Sequence, residues 1–167
     1  MTAPHGLAEV RKFYGEVKIE RDPRGGWHIV SPRAWEAQNC ELLRGLPGLP
    51  HVNLFVHNKV AGPLVRALTS WQAQCPEYQI ESIGCFNPRP KRTASADEHL
   101  IVGWDEGLSL HSVAAAIDFN AKRNPMRKPL TTDMPPLFVD CFVREGFTWG
   151  ARFPTPDPQH FQFASAY

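Results

Sequence analysis

Ala116-Ile117-Asp118-Phe119 and His160-Phe161-Gln162-Phe163 are two short stretches with one pattern. In each, apolar residues alternate with polar ones. Strand side chains point to opposite faces with a period of two. The first stretch therefore buries Ile117 and Phe119 and presents Asp118 on its other face. The second buries Phe161 and Phe163 and presents His160 and Gln162. Laid side by side in one sheet, the two would bring a carboxylate and an imidazole together.

His111 lies seven residues before Asp118. Seven residues of helix would separate them by about 10 Å. Seven residues of strand would separate them by about 23 Å and reverse the face. Metal–ligand bonds are only about 2 Å long. For both residues to serve one site, the chain must fold back between them. Ser112, Ala114, Ala115 and Ala116 are small enough for a tight reversal.

Further out, Trp27–Val30 reads as a strand. Ser31 and Pro32 suit the start of a helix running from Ala34 to about Leu43, before a Gly45–Pro50 loop. Leu64, Leu68 and Trp71 recur at helical spacing and predict a helix over Ala61–Gln74. Tyr78–Phe86 reads as a strand whose apolar phase shifts near Ser82, followed by a polar loop from Asn87 to about Glu98. Thr132 or Asp133 is placed to cap a last helix through Leu137–Glu145, with Leu137, Phe138, Cys141 and Phe142 as its apolar stripe and Gly146 as its end.

These elements, with 16 prolines and 12 glycines, predict an α+β domain with long loops and not a helical bundle. The 167 residues suit a single domain over 1–167. Hydrophobic residues at 43% and charged residues at 21% exclude a disordered chain. A net charge of +1 argues against nucleic-acid binding, and the basic run at Pro88-Arg89-Pro90-Lys91-Arg92 reads as a solvated loop, with contact to a polyanion as the alternative. No apolar stretch approaches a membrane span, so no membrane insertion is expected. Cys40, Cys75, Cys85 and Cys141 lack paired spacing and read as free thiols. The N-terminus has no basic region followed by an apolar run, so synthesis in the cytoplasm without a Sec signal is expected. A monomer is expected.

Ser109-Leu110-His111-Ser112-Val113-Ala114-Ala115-Ala116-Ile117-Asp118 resembles the Ser-x-His-x-x-Gly-x-Ala-x-Asp signature of a zinc peptidase family. This is the D-alanyl-D-alanine carboxypeptidase and L-alanyl-D-glutamate peptidase family of the hedgehog and lysostaphin group. Glu145-Gly146-Phe147-Thr148-Trp149-Gly150 and Asp157-Pro158-Gln159-His160-Phe161 are similar to the Gly-Phe-x-Trp-Gly and Asp-x-x-His-Phe segments of its endolysin-like branch. The match runs in order over about residues 84–163. One departure is Ala114, where the family usually has glycine; a methyl group fits there if φ stays negative.

The resemblance implies a hedgehog-like fold, a small antiparallel sheet flanked by helices. It implies one zinc ion per chain, held by His111, Asp118 and His160. Three protein ligands leave an open position, as catalytic zinc sites do. It also implies that Asp157 is the general base and that Arg89, with Arg92 as the rival, stabilises the oxyanion. Ser109 and Gln162 are expected beside the ligands, and Trp149 either lines the substrate groove or packs in the core. His28, His51, His57 and His99 stand in no ligand spacing and read as surface or core histidines. The implied partner is the peptidoglycan stem peptide. The implied activity is an L-alanyl-D-glutamate endopeptidase of phage-endolysin type, reaching the wall after release or as part of a phage particle. A D-alanyl-D-alanine carboxypeptidase or dipeptidase, and a non-catalytic hedgehog-like zinc module, are the alternatives. A mononuclear iron oxygenase also uses two histidines and a carboxylate, but the His111–Asp118 spacing disfavours it.

Overall fold

The computed structural model describes residues 2–92 and 101–167. His99 and the end of the predicted Asn87–Glu98 loop lie outside the described residues. In chain order the elements are α1 (Gly6–Tyr14), β1 (Lys18–Arg21), β2 (Trp27–Ser31), α2 (Trp35–Asn39), β3 (Cys40–Leu43), β4 (Leu54–His57), α3 (Asn58–Gln74), β5 (Ile83–Gly84), β6 (Ile101–Val102), β7 (Ala116–Phe119), α4 (Pro136–Val143), β8 (Thr148–Trp149) and β9 (His160–Gln162). Short 3-10 helices at Leu110–Val113 and Gly150–Arg152 flank the two strands that matter most.

Small antiparallel sheets and few helices make this an α+β arrangement, with three described sheets instead of the single one expected. One has the order β2-β1-β6, one pairs β3 with β4, and a four-stranded sheet has the order β5-β7-β9-β8. That last sheet positions the site. Ile117, Phe119, Phe161 and Phe163 bury one face completely. Against them α4 lays Phe138 and Phe142, with Phe142 5.0 Å from Phe161 and 4.8 Å from Phe119 between ring centroids. Each such fully buried side chain contributes roughly 1.5–3 kcal/mol of transfer free energy. Phe138 also meets Trp71 of α3 edge-on, which ties the long helix to the same core. No described helix is long and apolar enough to cross a membrane.

The strand at Trp27 and the helix ending at Gln74 form as the sequence suggests, the latter beginning earlier because His57 Nδ1 accepts from the Lys59 N–H. Other expectations fail for identifiable reasons. The helix expected over Ala34–Leu43 has only five residues, because Cys40–Leu43 pairs in register with His57–Leu54 as β3. Four ladder pairs outweigh a weak local helical preference. Ser31 ends β2 and caps nothing; the N-cap of α2 is Ala34. Of the strand expected over Tyr78–Phe86, only Ile83–Gly84 enters a ladder. Just before it, Asn120 takes the place of a neighbouring strand: its Oδ1 accepts from Glu81 and Ser82, and its Nδ2 donates to the Gln79 carbonyl. Helix α4 starts at Pro136 without a side-chain cap. Thr132 and Asp133 instead bond to Asn124. Leu137 is exposed, and Val139 replaces it in the buried stripe. Gly146, at φ +98, ends the turn after the helix. All four cysteines are outside disulfides.

Candidate metal centre

Strands β7 and β9 run antiparallel with Asp118 directly opposite His160, Ile117 opposite Phe161 and Ala116 opposite Gln162. The flanking bonds Phe119 N–H to Gln159 O and Phe163 N–H to Ala115 O make 118/160 and 116/162 the non-hydrogen-bonded pairs. Side chains of such pairs stand closest. Asp118, His160 and Gln162 therefore share one face, and the apolar residues share the other.

His111 reaches that face because the chain reverses after it. The 3-10 helix Leu110–Val113 begins at Ser109, whose Oγ accepts from the His111 N–H at 3.3 Å. It ends on Ala114 in the left-handed conformation, φ 52. The condition that φ stay negative at this alanine is thus not met; the methyl group is buried in a strained backbone state. The Ala115 N–H closes back on Leu110 O, and Ala114 O accepts from the His57 N–H of β4. The reversal is pinned from outside the segment.

The donor atoms form a tight triangle. His160 Nδ1 lies 3.0 Å from Asp118 Oδ1, His111 Nε2 lies 3.2 Å from the same oxygen, and the two ring nitrogens are 3.2 Å apart. Tetrahedral zinc with bonds near 2 Å would set its ligands about 3.3 Å apart. The other ring nitrogens are committed elsewhere. His111 Nδ1 donates to the Cys85 carbonyl at 2.7 Å, and His160 Nε2 donates to Gln162 Oε1 at 3.1 Å. Gln162 Nε2 donates in turn to Ala164 O, which keeps Oε1 toward the histidine. Both tautomers thus aim a lone pair at the carboxylate, and three converging lone pairs suit a cation between them. His111, Asp118 and His160 can hold a metal ion by chemistry and by spacing.

A cavity of about 430 Å³ opens beside His160, with Asp157, Arg89, Ser109 and Gln162 in its wall. Asp157 and His160 belong to one turn: Asp157 O accepts from the His160 N–H at 3.1 Å, and the Asp157 N–H donates to Gly150 O at 3.0 Å. Asp157 Oδ1 accepts from Gln159 Nε2. Gly150 explains the second glycine of the Gly-Phe-x-Trp-Gly segment. A Cβ there would stand 2.5 Å from Asp157 O and 3.1 Å from His160 Cβ. Trp149 is outside the cavity wall; its Nε1 donates to Pro158 O at 2.8 Å and its ring stacks on Phe161.

Arg89 is held by its backbone. Ser112 Oγ accepts from the Arg89 N–H and donates to the Arg89 carbonyl, both at 2.9 Å, and the Ser109 N–H donates to the same carbonyl. Burial lowers the Arg89 guanidinium, Asp118 and Asp157 raise it, and Arg92 lowers it further. Both carboxylates thus act on this guanidinium.

Residues 103–163 match the family model described as D-alanyl-D-alanine carboxypeptidase. The matched segment contains all three metal-binding candidates, and the match supports a zinc peptidase family. No curated protein and no solved structure matches the chain. Sequence reasoning did not find Ser112, the Cys85 carbonyl or Gly150. Only Gly150 carried a local signal, its place in a recurring motif.

Proposed function

We propose that this protein is a zinc-dependent peptidase that cleaves the stem peptide of bacterial peptidoglycan, as an endolysin-like L-alanyl-D-glutamate endopeptidase. The observation that carries the peptidase reading is the His111–Asp118–His160 triangle with both histidine tautomers set toward its centre. The family match over the same residues supports it. The endopeptidase assignment rests on the resemblance of the Gly146–Gly150 and Asp157–Phe161 segments to endolysins.

A zinc ion held there would supply a Lewis acid and a water acidified toward neutral pH. The chain's own residues do the rest. Asp157, in the cavity wall and one turn from His160, takes the proton of the attacking water and returns it to the departing amine. Arg89, anchored by Ser112, offers its guanidinium to the charge developing on the carbonyl oxygen. Gln162 and the Cys85 carbonyl keep the histidine rings from rotating.

A D-alanyl-D-alanine carboxypeptidase is the second reading, favoured by the description of the matched family. Mass spectrometry of digested, purified peptidoglycan separates the two. New amino groups on D-glutamate support the endopeptidase. Free D-alanine as the main product replaces it with the carboxypeptidase, and an unchanged digest by zinc-loaded protein overturns both.

A further inference from the structure

Beside the residues already used, the cavity wall holds Lys91, Arg92, Tyr167 and Met126. Lys91 is half-buried, and its Nζ stands 3.3 Å above the centroid of the Tyr167 ring. That ring is itself fixed. Its hydroxyl donates to Leu108 O and Trp104 meets it edge-on. The Lys91 N–H donates to Gly107 O, so stem and backbone are both tied down. Arg92 Nη1 reaches Met126 Sδ at 3.9 Å. Among the described residues neither Lys91 nor Arg92 pairs with a carboxylate. With Arg89, the cavity wall carries three cations against the single carboxylate of Asp157.

We propose that Lys91, seated on Tyr167, and Arg92 form an anion subsite that binds a free carboxylate of the substrate peptide. This rests on the peptidase reading and narrows its substrate class. An aromatic face holds an ammonium in place without neutralising it, so the charge stays available to a ligand. Burial lowers the Lys91 ammonium, and an incoming carboxylate would offset that cost. A peptide stem offers such a group in two places: its C-terminus, or the free carboxyl of a γ-linked glutamate.

The test uses small probes that lack a peptide bond between two amino acids, titrated calorimetrically into the full zinc-loaded chain and recovered intact afterwards. N-acetyl-D-alanine and its amide represent the C-terminal source. The γ-methylamide of N-acetyl-D-glutamate and its α-amide represent the glutamate source. One acid of the two pairs should bind at least about tenfold more tightly than its amide, as expected of a charge-assisted contact. Lys91→Met and Arg92→Gln should each erase that preference at unchanged zinc content, and Lys91→Arg should restore it. Which pair shows the preference identifies the source. Equal binding of acid and amide in both pairs overturns the subsite. A preference that survives in Lys91→Met and Arg92→Gln also overturns it, because the carboxylate is then held by the metal or by Arg89. Should Lys91→Met fail to fold, Arg92→Gln decides. Failure of zinc-loaded protein to cut peptidoglycan would refute the peptidase reading separately, since the probes report binding only.

Discussion

Asp118 and His160 face each other across the β7–β9 ladder as a non-hydrogen-bonded pair, with Oδ1 3.0 Å from Nδ1. The sheet register alone brings these two donors together, and the reversal at Ala114 adds the third, His111. The first prediction concerns all three. The protein should bind one zinc ion per chain, and His111→Ala, Asp118→Ala and His160→Ala should each lose it. Gln162→Leu should weaken zinc binding by about 10- to 100-fold while leaving the ligands in place. Elemental analysis of each variant checks this. Full zinc in His160→Ala would remove the assignment.

Asp157 should separate chemistry from metal binding. Asp157→Asn keeps the side-chain oxygen that accepts from Gln159, so the turn and the zinc should survive. Turnover should fall by about 100- to 10,000-fold. Arg89→Ala should cost about 100- to 1,000-fold in rate, also with zinc retained. Zinc stoichiometry is measured beside turnover. Near-normal turnover in Asp157→Asn would leave this residue a turn former only.

Gly150→Ala should damage the site without touching a ligand. The added Cβ would meet backbone at 2.5 Å, and backbone cannot swing aside as a flexible side chain can. Overpacking of this kind costs about 1–3 kcal/mol. The Asp157–His160 turn should shift, so turnover should drop further than the change in Tm alone would explain. Equal turnover in the two proteins would show that the turn absorbs a methyl group.

Ala114→Gly should leave stability within about 1 kcal/mol of the parent. Glycine relieves the left-handed strain of roughly 1–2 kcal/mol. It also loses about 0.8 kcal/mol of methyl burial and raises the entropy of the unfolded chain. Ala114→Val should be strongly destabilised, because a β-branched side chain tolerates this backbone poorly. Urea denaturation of the three proteins decides. A stable valine variant would mean that the segment is not held left-handed.

His57 should make the fold acid-sensitive. It is fully buried between Tyr14 and Trp35, and burial, aided by Lys59, lowers its pKa from 6.5 to about 4. Above the unfolded value the ring is neutral in both states, and its contribution is complete. As pH falls from about 6.5 to about 4 the unfolded chain takes up the proton first, so stability declines, by about 3 kcal/mol in all. His57→Asn keeps an acceptor for the Lys59 N–H and should flatten this slope. The same slope in the variant would assign the sensitivity to the carboxylates.

The alternation in Ile117-Asp118-Phe119 and in His160-Phe161-Gln162 was enough to say which side chains face the core and which face a site, because the strand period is local. The need for a reversal between His111 and Asp118 followed from chain dimensions alone. What the local pattern lacks is the partner. A period of two names a face but not the neighbouring strand or its register, so the opposition of Asp118 and His160 came only with the ladder. Cys40–Leu43 became a strand for the same reason: Leu54–His57 was available to pair with it. The finer features depend on contacts between residues distant in sequence. Cys85 O meets His111, Ser112 clamps Arg89, and Tyr167 lies under Lys91. Propensity describes what a residue prefers among its neighbours in the chain. These contacts form between groups that become neighbours only once the core of Phe119, Phe142 and Phe161 has closed.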